Sequence, residues 1–132
     1  MRILGYFCKG EYIKSSYDVL MQADLNDNTN LWALTGCYDN VASEIRKIKK
    51  GEAFIDIGAN AGVFSLMAGK IVGEKGIVIS FEPQKSLFIR LVNNAHANNL
   101  KNIVYFNFAL SEKSQFVGIS NISDEHTGIA VI

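Results

Sequence analysis

The stretch Phe54-Ile55-Asp56-Ile57-Gly58-Ala59-Asn60-Ala61-Gly62 constrains the fold of this chain more than any other. Ala53 to Ile57 is a short apolar run, consistent with a strand buried on both faces as in parallel sheets, and a helical pattern begins directly after Gly62. The glycine segment is therefore a strand-to-helix turn. Gly58 can take backbone angles closed to other residues and lets the chain pass close beneath a ligand, while Gly62 lets the helix start pack tightly against the sheet. Asn60 tolerates a left-handed conformation. The start of the helix directs unpaired N–H groups at whatever rests on the turn, which predicts a ligand with a negatively charged tail.

A second apolar run, Gly76 to Phe81, follows the turn Gly73-Glu74-Lys75-Gly76 and ends in Glu82-Pro83. Glu82 follows Gly58 at close to the roughly 20-residue spacing at which dinucleotide folds place the acid that accepts hydrogen bonds from ribose hydroxyls. Two acids and a glycine turn at adjacent strand ends thus predict one pocket for a ribose-bearing cofactor. The pattern reads Asp-x-Gly-x-Asn-x-Gly, not G-x-G-x-x-G. An acid just before the turn repels a pyrophosphate but suits a cofactor with an amino group and a carboxylate, as in the methionine part of S-adenosylmethionine. An ordinary tight turn followed by a helix-capping acid is the competing structural reading. The strand, helix and Glu82 in combination favour the cofactor.

Phe54 to Gly62, Ser80 to Pro83, the Leu91, Asn94 and Asn98 pattern, Asn102-Ile103 and Phe108-Ala109-Leu110-Ser111 together resemble the FkbM-type S-adenosylmethionine-dependent methyltransferases. The resemblance covers about Asp39 to Ser114, with weaker support over Asp24 to Gly36. It implies that Asp56, Gly58, Asn60 and Gly62 line the methionine end and that Glu82 holds the ribose. Ala109 and Leu110 would lie near the adenine, mainly through backbone groups; the acid that many related methyltransferases carry near Ala109 is absent. The implied acceptor is a sugar or small metabolite hydroxyl.

At 132 residues one domain is the ceiling, and 48% apolar residues with a formal net charge of +0 describe an ordinary globular chain. Lys47, Lys49 and Lys50 form the only lysine cluster and read as a solvated helix end, so no nucleic-acid partner is expected. Cys8 and Cys37 have no His or Cys at metal-ligand spacing and read as reduced, structural thiols with no metal site. No secretory segment or membrane-length apolar run is present, which predicts a cytoplasmic protein with no membrane partner.

Residues 1–50 read as an N-terminal segment and covering helix, with strands at Arg2 to Phe7 and Tyr17 to Ala23 and a polar turn at Asn26 to Asn30, forming a lid or a hairpin. The helix, Asp39 to Lys50, would place Val41, Ile45 and Ile48 inward over the first strand of the sheet. Residues 51–132 read as a partial cofactor-binding unit: a helix from Gly62 to Val72, a helix from Pro83 to Asn98, and a third strand at Asn102 to Phe106. That order is one half of a Rossmann-like, doubly wound α/β methyltransferase sheet with right-handed crossovers. Gln115 to Ser120 and Gly128 to Ile132 read as further short strands. The second half of such a sheet is not evident in the sequence, so the chain reads as a truncated or fragmentary member. An apolar strand edge left without its neighbour predicts cover by the N-terminal hairpin, by the Gly128 to Ile132 tail, or by a second copy in a homo-oligomer.

His96 and His126 read as surface or capping residues, and Asn93, Asn94, Asn98 and Asn99 as helix-ending residues. Trp32 and Tyr38, flanking Gly36, read as packing for the N-terminal segment. No residue presents itself as the catalytic base. Three functions compete on these residues: a methyltransferase or its cofactor half, a nucleotide-dependent oxidoreductase module, and a non-catalytic Rossmann-like interaction module. Asp56 before the turn disfavours the second.

Overall fold

The computed structural model describes residues 10–113, 120–121 and 130–131. The predicted strand at Arg2 to Phe7, Cys8, His126 and most of the segment from Gln115 to Ser120 lie outside them. The chain opens with an antiparallel hairpin, β1 (Tyr12–Lys14) and β2 (Leu20–Gln22), which realises the hairpin alternative for the N-terminal segment.

The predicted polar turn at Asn26 to Asn30 is instead the start of a helix, α1 (Asn28–Thr35). Asp27 supplies the reason: its carboxylate accepts the backbone N–H groups of Thr29 and Asn30, satisfying donors that a helix start leaves open. Gly36, in the left-handed region, ends the helix. Next comes α2 (Asp39–Ile45), shorter than predicted. Ala42 and Ile45 are its buried residues, while Val41 is exposed. It packs chiefly on the helix that follows the glycine turn.

The central unit is β3 (Ala53–Ile57), α3 (Val63–Val72), β4 (Ile77–Phe81), α4 (Lys85–Ala97) and β5 (Ile103–Phe106). The three strands are parallel in the order β3-β4-β5, with Asp56 opposite Ser80 and Phe81 opposite Phe106. This is the strand-helix-strand-helix-strand half of a doubly wound sheet, with boundaries within two residues of those predicted. One sheet face, carrying Val78 and Ile103, is buried in a core with Leu66, Met67 and Ala68 of α3, Val19 and Met21 of the hairpin region, and Ala95 of α4.

The expectation that β3 is buried on both faces fails. Ile55 and Ile57 are 58% and 67% exposed, and on the same sheet face Ile77 and Val104 are exposed too. The physical reason is that, among the described residues, β3 stands at the sheet edge with β4 as its one strand neighbour, and α3 packs on the opposite face. Neither cover proposed from within the chain is seen among the described residues. The hairpin docks on α4, and β7 (Ala130–Val131) pairs with β6 (Ser120–Asn121).

Asparagines do unexpected work in this packing. Asn94, fully buried, donates to the Ala61 carbonyl and accepts the Gln22 N–H, while Asn98 both accepts from and donates to the backbone of Leu20. One turn apart on α4, they satisfy backbone groups of β2 in place of a neighbouring strand.

Candidate functional site

β3 and β4 end side by side, so the glycine turn after Ile57 and the segment after Phe81 meet at the carboxyl end of the sheet. Gly58 and Ala59 both donate to the Phe81 carbonyl, at 2.9 Å each. Gly58, Asn60 and Gly62 all have positive φ, of 78°, 53° and 96°. The two glycines differ in surroundings. A Cβ at Gly62 would fall 2.3 Å from Leu91 Cδ1, so Gly62 permits contact with α4 and not with the sheet; a Cβ at Gly58 would meet nothing within 4 Å. Open space above Gly58 is what a ligand lying across the turn requires.

Glu82 is 4% exposed and fastens the turn. One carboxylate oxygen accepts the Asn60 N–H at 2.8 Å, and the other accepts the Gln84 N–H at 2.8 Å. Burial raises its pKa above the ordinary carboxylate range, opposed by these two N–H groups and reinforced by the Asp56 charge. A carboxylate has about four lone-pair positions, so two remain for hydroxyl donors such as those of a ribose.

Asp56 is placed differently from the sequence expectation. Its carboxylate is buried and accepts the Ser65 Oγ–H at 2.5 Å and the Ser65 N–H, and Ser65 Oγ lies 2.7 Å from Ser80 Oγ. Burial raises its pKa, and the Ser65 bonds oppose that rise. Asp56 thus ties the end of β3 to the first turn of α3, beneath the turn.

The backbone N–H groups of the turn are also engaged. Besides Gly58, Ala59 and Asn60, Ala61 donates to Asn60 Oδ1 and Gly62 to the Ala59 carbonyl. The turn from Gly58 to Gly62 thus folds back on itself and on β4, and the helix start at Val63 has no side-chain cap.

A cleft of about 350 Å³ opens beside the turn. Gly58 to Phe64 form one wall, with Thr29, Asn30, Trp32 and Ala33 of α1, Tyr38 and Met21 opposite. Gly58, Asn60 and Gly62 therefore converge on it, while Glu82 reaches it through Asn60. Ala109 and Leu110 follow β5 at the same sheet end, tied in by Asn107 Nδ2 donating to the Glu82 carbonyl, but they do not line the cleft. Trp32 is 43% exposed there, with its ring edge-on to Tyr38 at 6.5 Å. A larger hollow of about 710 Å³, lined by Gly69, Gly73, Ile77 and Asn102, lies at the amino ends of β4 and β5. Ligands of open α/β sheets bind at the opposite, carboxyl end, so size does not make the hollow the active site.

Sequence reasoning missed the α1 wall. The signal was present: Asp27 before Thr29 and Asn30, then Leu31 and Leu34 at helical spacing, then Gly36. His96 is exposed in the last turn of α4, as expected. Cys37 is free and exposed, not a buried structural thiol. Among the described residues no cluster of metal-ligating side chains occurs, and no helix is long and apolar enough to cross a membrane.

The chain is similar to ribosomal RNA large subunit methyltransferase E of Buchnera aphidicola subsp. Baizongia pistaciae, with 34% identity over 93 residues, 68% of this chain and 44% of that protein. It is also similar to 23S rRNA (uracil(1939)-C(5))-methyltransferase RlmD of Psychrobacter arcticus, with 32% identity over 66 residues, 50% of this chain and 13% of that protein. The crystal structure of M. jannaschii TYW2 in complex with AdoMet shares the fold, with a TM-score of 0.56 at 20% identity, covering 69% of this chain and 40% of that one. The chain thus spans less than half the length of either sequence relative.

These likenesses overturn the expectation that nucleic acid is no partner, because both sequence relatives act on ribosomal RNA by name. A balanced net charge on one unit does not exclude RNA, since phosphate contacts can come from other parts of a longer protein. Neither relative is named for a sugar or small-metabolite acceptor. S-adenosylmethionine-dependent methyltransferases are the class shared by these relatives and the FkbM type that the motifs resemble. The protein-L-isoaspartate(D-aspartate) O-methyltransferase (PCMT) family model matches residues 11–111, and the chain belongs to that family.

Proposed function

We propose that this chain binds S-adenosylmethionine across the glycine turn and serves as the cofactor-binding part of a methyltransferase whose acceptor is RNA. The observation that carries the cofactor reading is the turn itself: three positive-φ residues, open space above Gly58, and a buried Glu82 with lone pairs to spare, all at the carboxyl end of the sheet. The residues assigned to the site are Gly58, Asn60 and Gly62 along the methionine arm, Glu82 at the ribose, and Ala109 and Leu110 beside the adenine. Asp56 acts from beneath, by holding the turn to α3.

Bound there, S-adenosylmethionine would supply a methyl group on a cationic sulfur that leaves with the carbon–sulfur electron pair when an acceptor takes the carbon. Such a displacement is accelerated mainly by holding donor and acceptor in line. The contribution of this chain is a rigid donor seat: Glu82 and the Phe81 carbonyl fix the turn, and Asn94 holds the Ala61 carbonyl against α4.

RNA as acceptor is supported by the likeness to ribosomal RNA large subunit methyltransferase E over two thirds of the chain. The family match favours a second reading, methylation of a protein carboxylate. Asn94 and Asn98, which contribute to the FkbM-type likeness, are occupied with packing the hairpin and lend no support to a sugar acceptor.

Calorimetric titration of the chain with S-adenosylmethionine and with NAD tests the cofactor. Binding of the first alone is expected, and Glu82→Ala should weaken it by about 1.5 to 3 kcal/mol, the range for hydrogen bonds to charged groups. Unchanged affinity in that variant removes Glu82 from the site, and preference for NAD sinks the methyltransferase reading. Incubation with methyl-tritiated S-adenosylmethionine and separated RNA and protein fractions tests the acceptor: label in RNA is expected, and label confined to protein selects the second reading.

A further inference from the structure

The methionine arm of S-adenosylmethionine carries two cationic centres, an ammonium and the sulfonium, and the sequence reading placed Asp56 at the methionine end, suited to the amino group. In the structure Asp56 is engaged beneath the turn. Its carboxylate is buried against Ser65 and does not line the cleft. Among the described residues, no Asp, Glu, Lys or Arg lines the cleft beside the glycine turn. A cation entering it would meet a wall of the glycine turn, Thr29 and the aromatic residues Trp32, Tyr38 and Phe64.

We propose that Trp32, backed by Tyr38, is the cation-recognising wall of the cofactor site and makes the cleft prefer the sulfonium cofactor over its neutral thioether product. This inference rests on the cofactor reading above. Trp32 is the sole tryptophan of the chain and lines the cleft wall, 43% exposed. Its placement is fixed. Asp27 and Asn30 lock the start of α1, the Trp32 carbonyl accepts both the Gly36 and Cys37 N–H groups, and its ring meets Tyr38 edge-on at 6.5 Å. Tyr38 is held in turn by Phe64 of α3 at 5.5 Å, which links this wall to the helix that starts at the turn. An indole face attracts a cation through its quadrupole more strongly than any other side-chain ring.

The test is ligand binding to the 132-residue chain, followed by Trp32 fluorescence and by calorimetry, with S-adenosylmethionine, S-adenosylhomocysteine and the uncharged-sulfur analogue's amine counterpart sinefungin as probes. Wild type should show a fluorescence change with all three and should bind the two ligands cationic at the sulfur position more tightly. Trp32→Leu should lose roughly 3- to 30-fold in affinity for those two and little for S-adenosylhomocysteine, the span a cation–π contact allows. Trp32→Phe should recover part of the loss. Equal losses for all three ligands, or none, overturn the inference while Glu82→Ala still reports on the cofactor site. If wild type binds none of them, the cofactor reading itself fails and the inference with it.

Discussion

Gly58 and Gly62 lie four residues apart in one turn and should respond to the same substitution in opposite ways. Both have positive φ, 78° and 96°, so an alanine at either costs about 1 to 2 kcal/mol of backbone strain, offset by about 0.4 to 1 kcal/mol from a less disordered unfolded chain. At Gly58 nothing stands within 4 Å of the new methyl, so Gly58→Ala should lower stability by only about 1 kcal/mol. At Gly62 the methyl would fall 2.3 Å from Leu91 Cδ1, within a contact that must give way, and overpacking adds about 1 to 3 kcal/mol. Gly62→Ala should therefore lose about 2 to 4 kcal/mol in urea denaturation. Binding should show the reverse order. Gly58→Ala puts its methyl in the space assigned to the cofactor and should weaken S-adenosylmethionine at least tenfold, and Gly58→Val should abolish binding; Gly62→Ala, whose methyl meets Leu91, should weaken it less. Equal destabilisation by the two alanines would refute the Leu91 contact at Gly62, and wild-type affinity in Gly58→Ala would refute the placement of a ligand above Gly58.

Asp56 has a raised pKa, so the folded state holds its proton more tightly than the unfolded chain does. Its stabilisation is full below the unfolded carboxylate range, near pH 4, and is lost as pH rises towards the folded value. The stability of wild type relative to Asp56→Asn should thus decline as pH rises above about 4 in urea titrations; a relative stability that increases instead would show that the Ser65 bonds outweigh desolvation. Asn94→Ala should cost about 2 to 3 kcal/mol, because it leaves the Gln22 N–H and the Ala61 carbonyl without their buried partner. Hydrogen exchange should report the same change locally, as faster exchange at the Gln22 amide, and unchanged exchange there would mean that β2 does not depend on α4.

The central unit was legible because its signals are local. Glycines and Asn60 mark the turn, apolar runs mark β3 and β4, and a helical period marks α3 and α4, so each element followed from a few neighbouring residues. What escaped depended on partners distant in sequence. Asp56 reads as a cofactor ligand until Ser65 takes its carboxylate, and Asn94 and Asn98 read as helix enders until β2 docks against them. The strand β3 reads as buried because its composition is that of an inner strand, yet its exposure is set by which elements stand beside it. α1 was hidden by polar residues that are turn formers in isolation and cap residues when a helix follows. The RNA likeness had no counterpart in charge at all.

The central claim is that a cofactor lies across the turn between β3 and β4. Amide chemical shifts of the isotope-labelled chain, followed during titration with S-adenosylmethionine, test it residue by residue. The account predicts the largest changes at Gly58 to Gly62, Glu82 and the indole of Trp32, with smaller ones at Ala109 and Leu110. Changes centred on Gly69, Gly73 and Asn102 at the opposite end of the sheet, or none at saturating ligand, would contradict it.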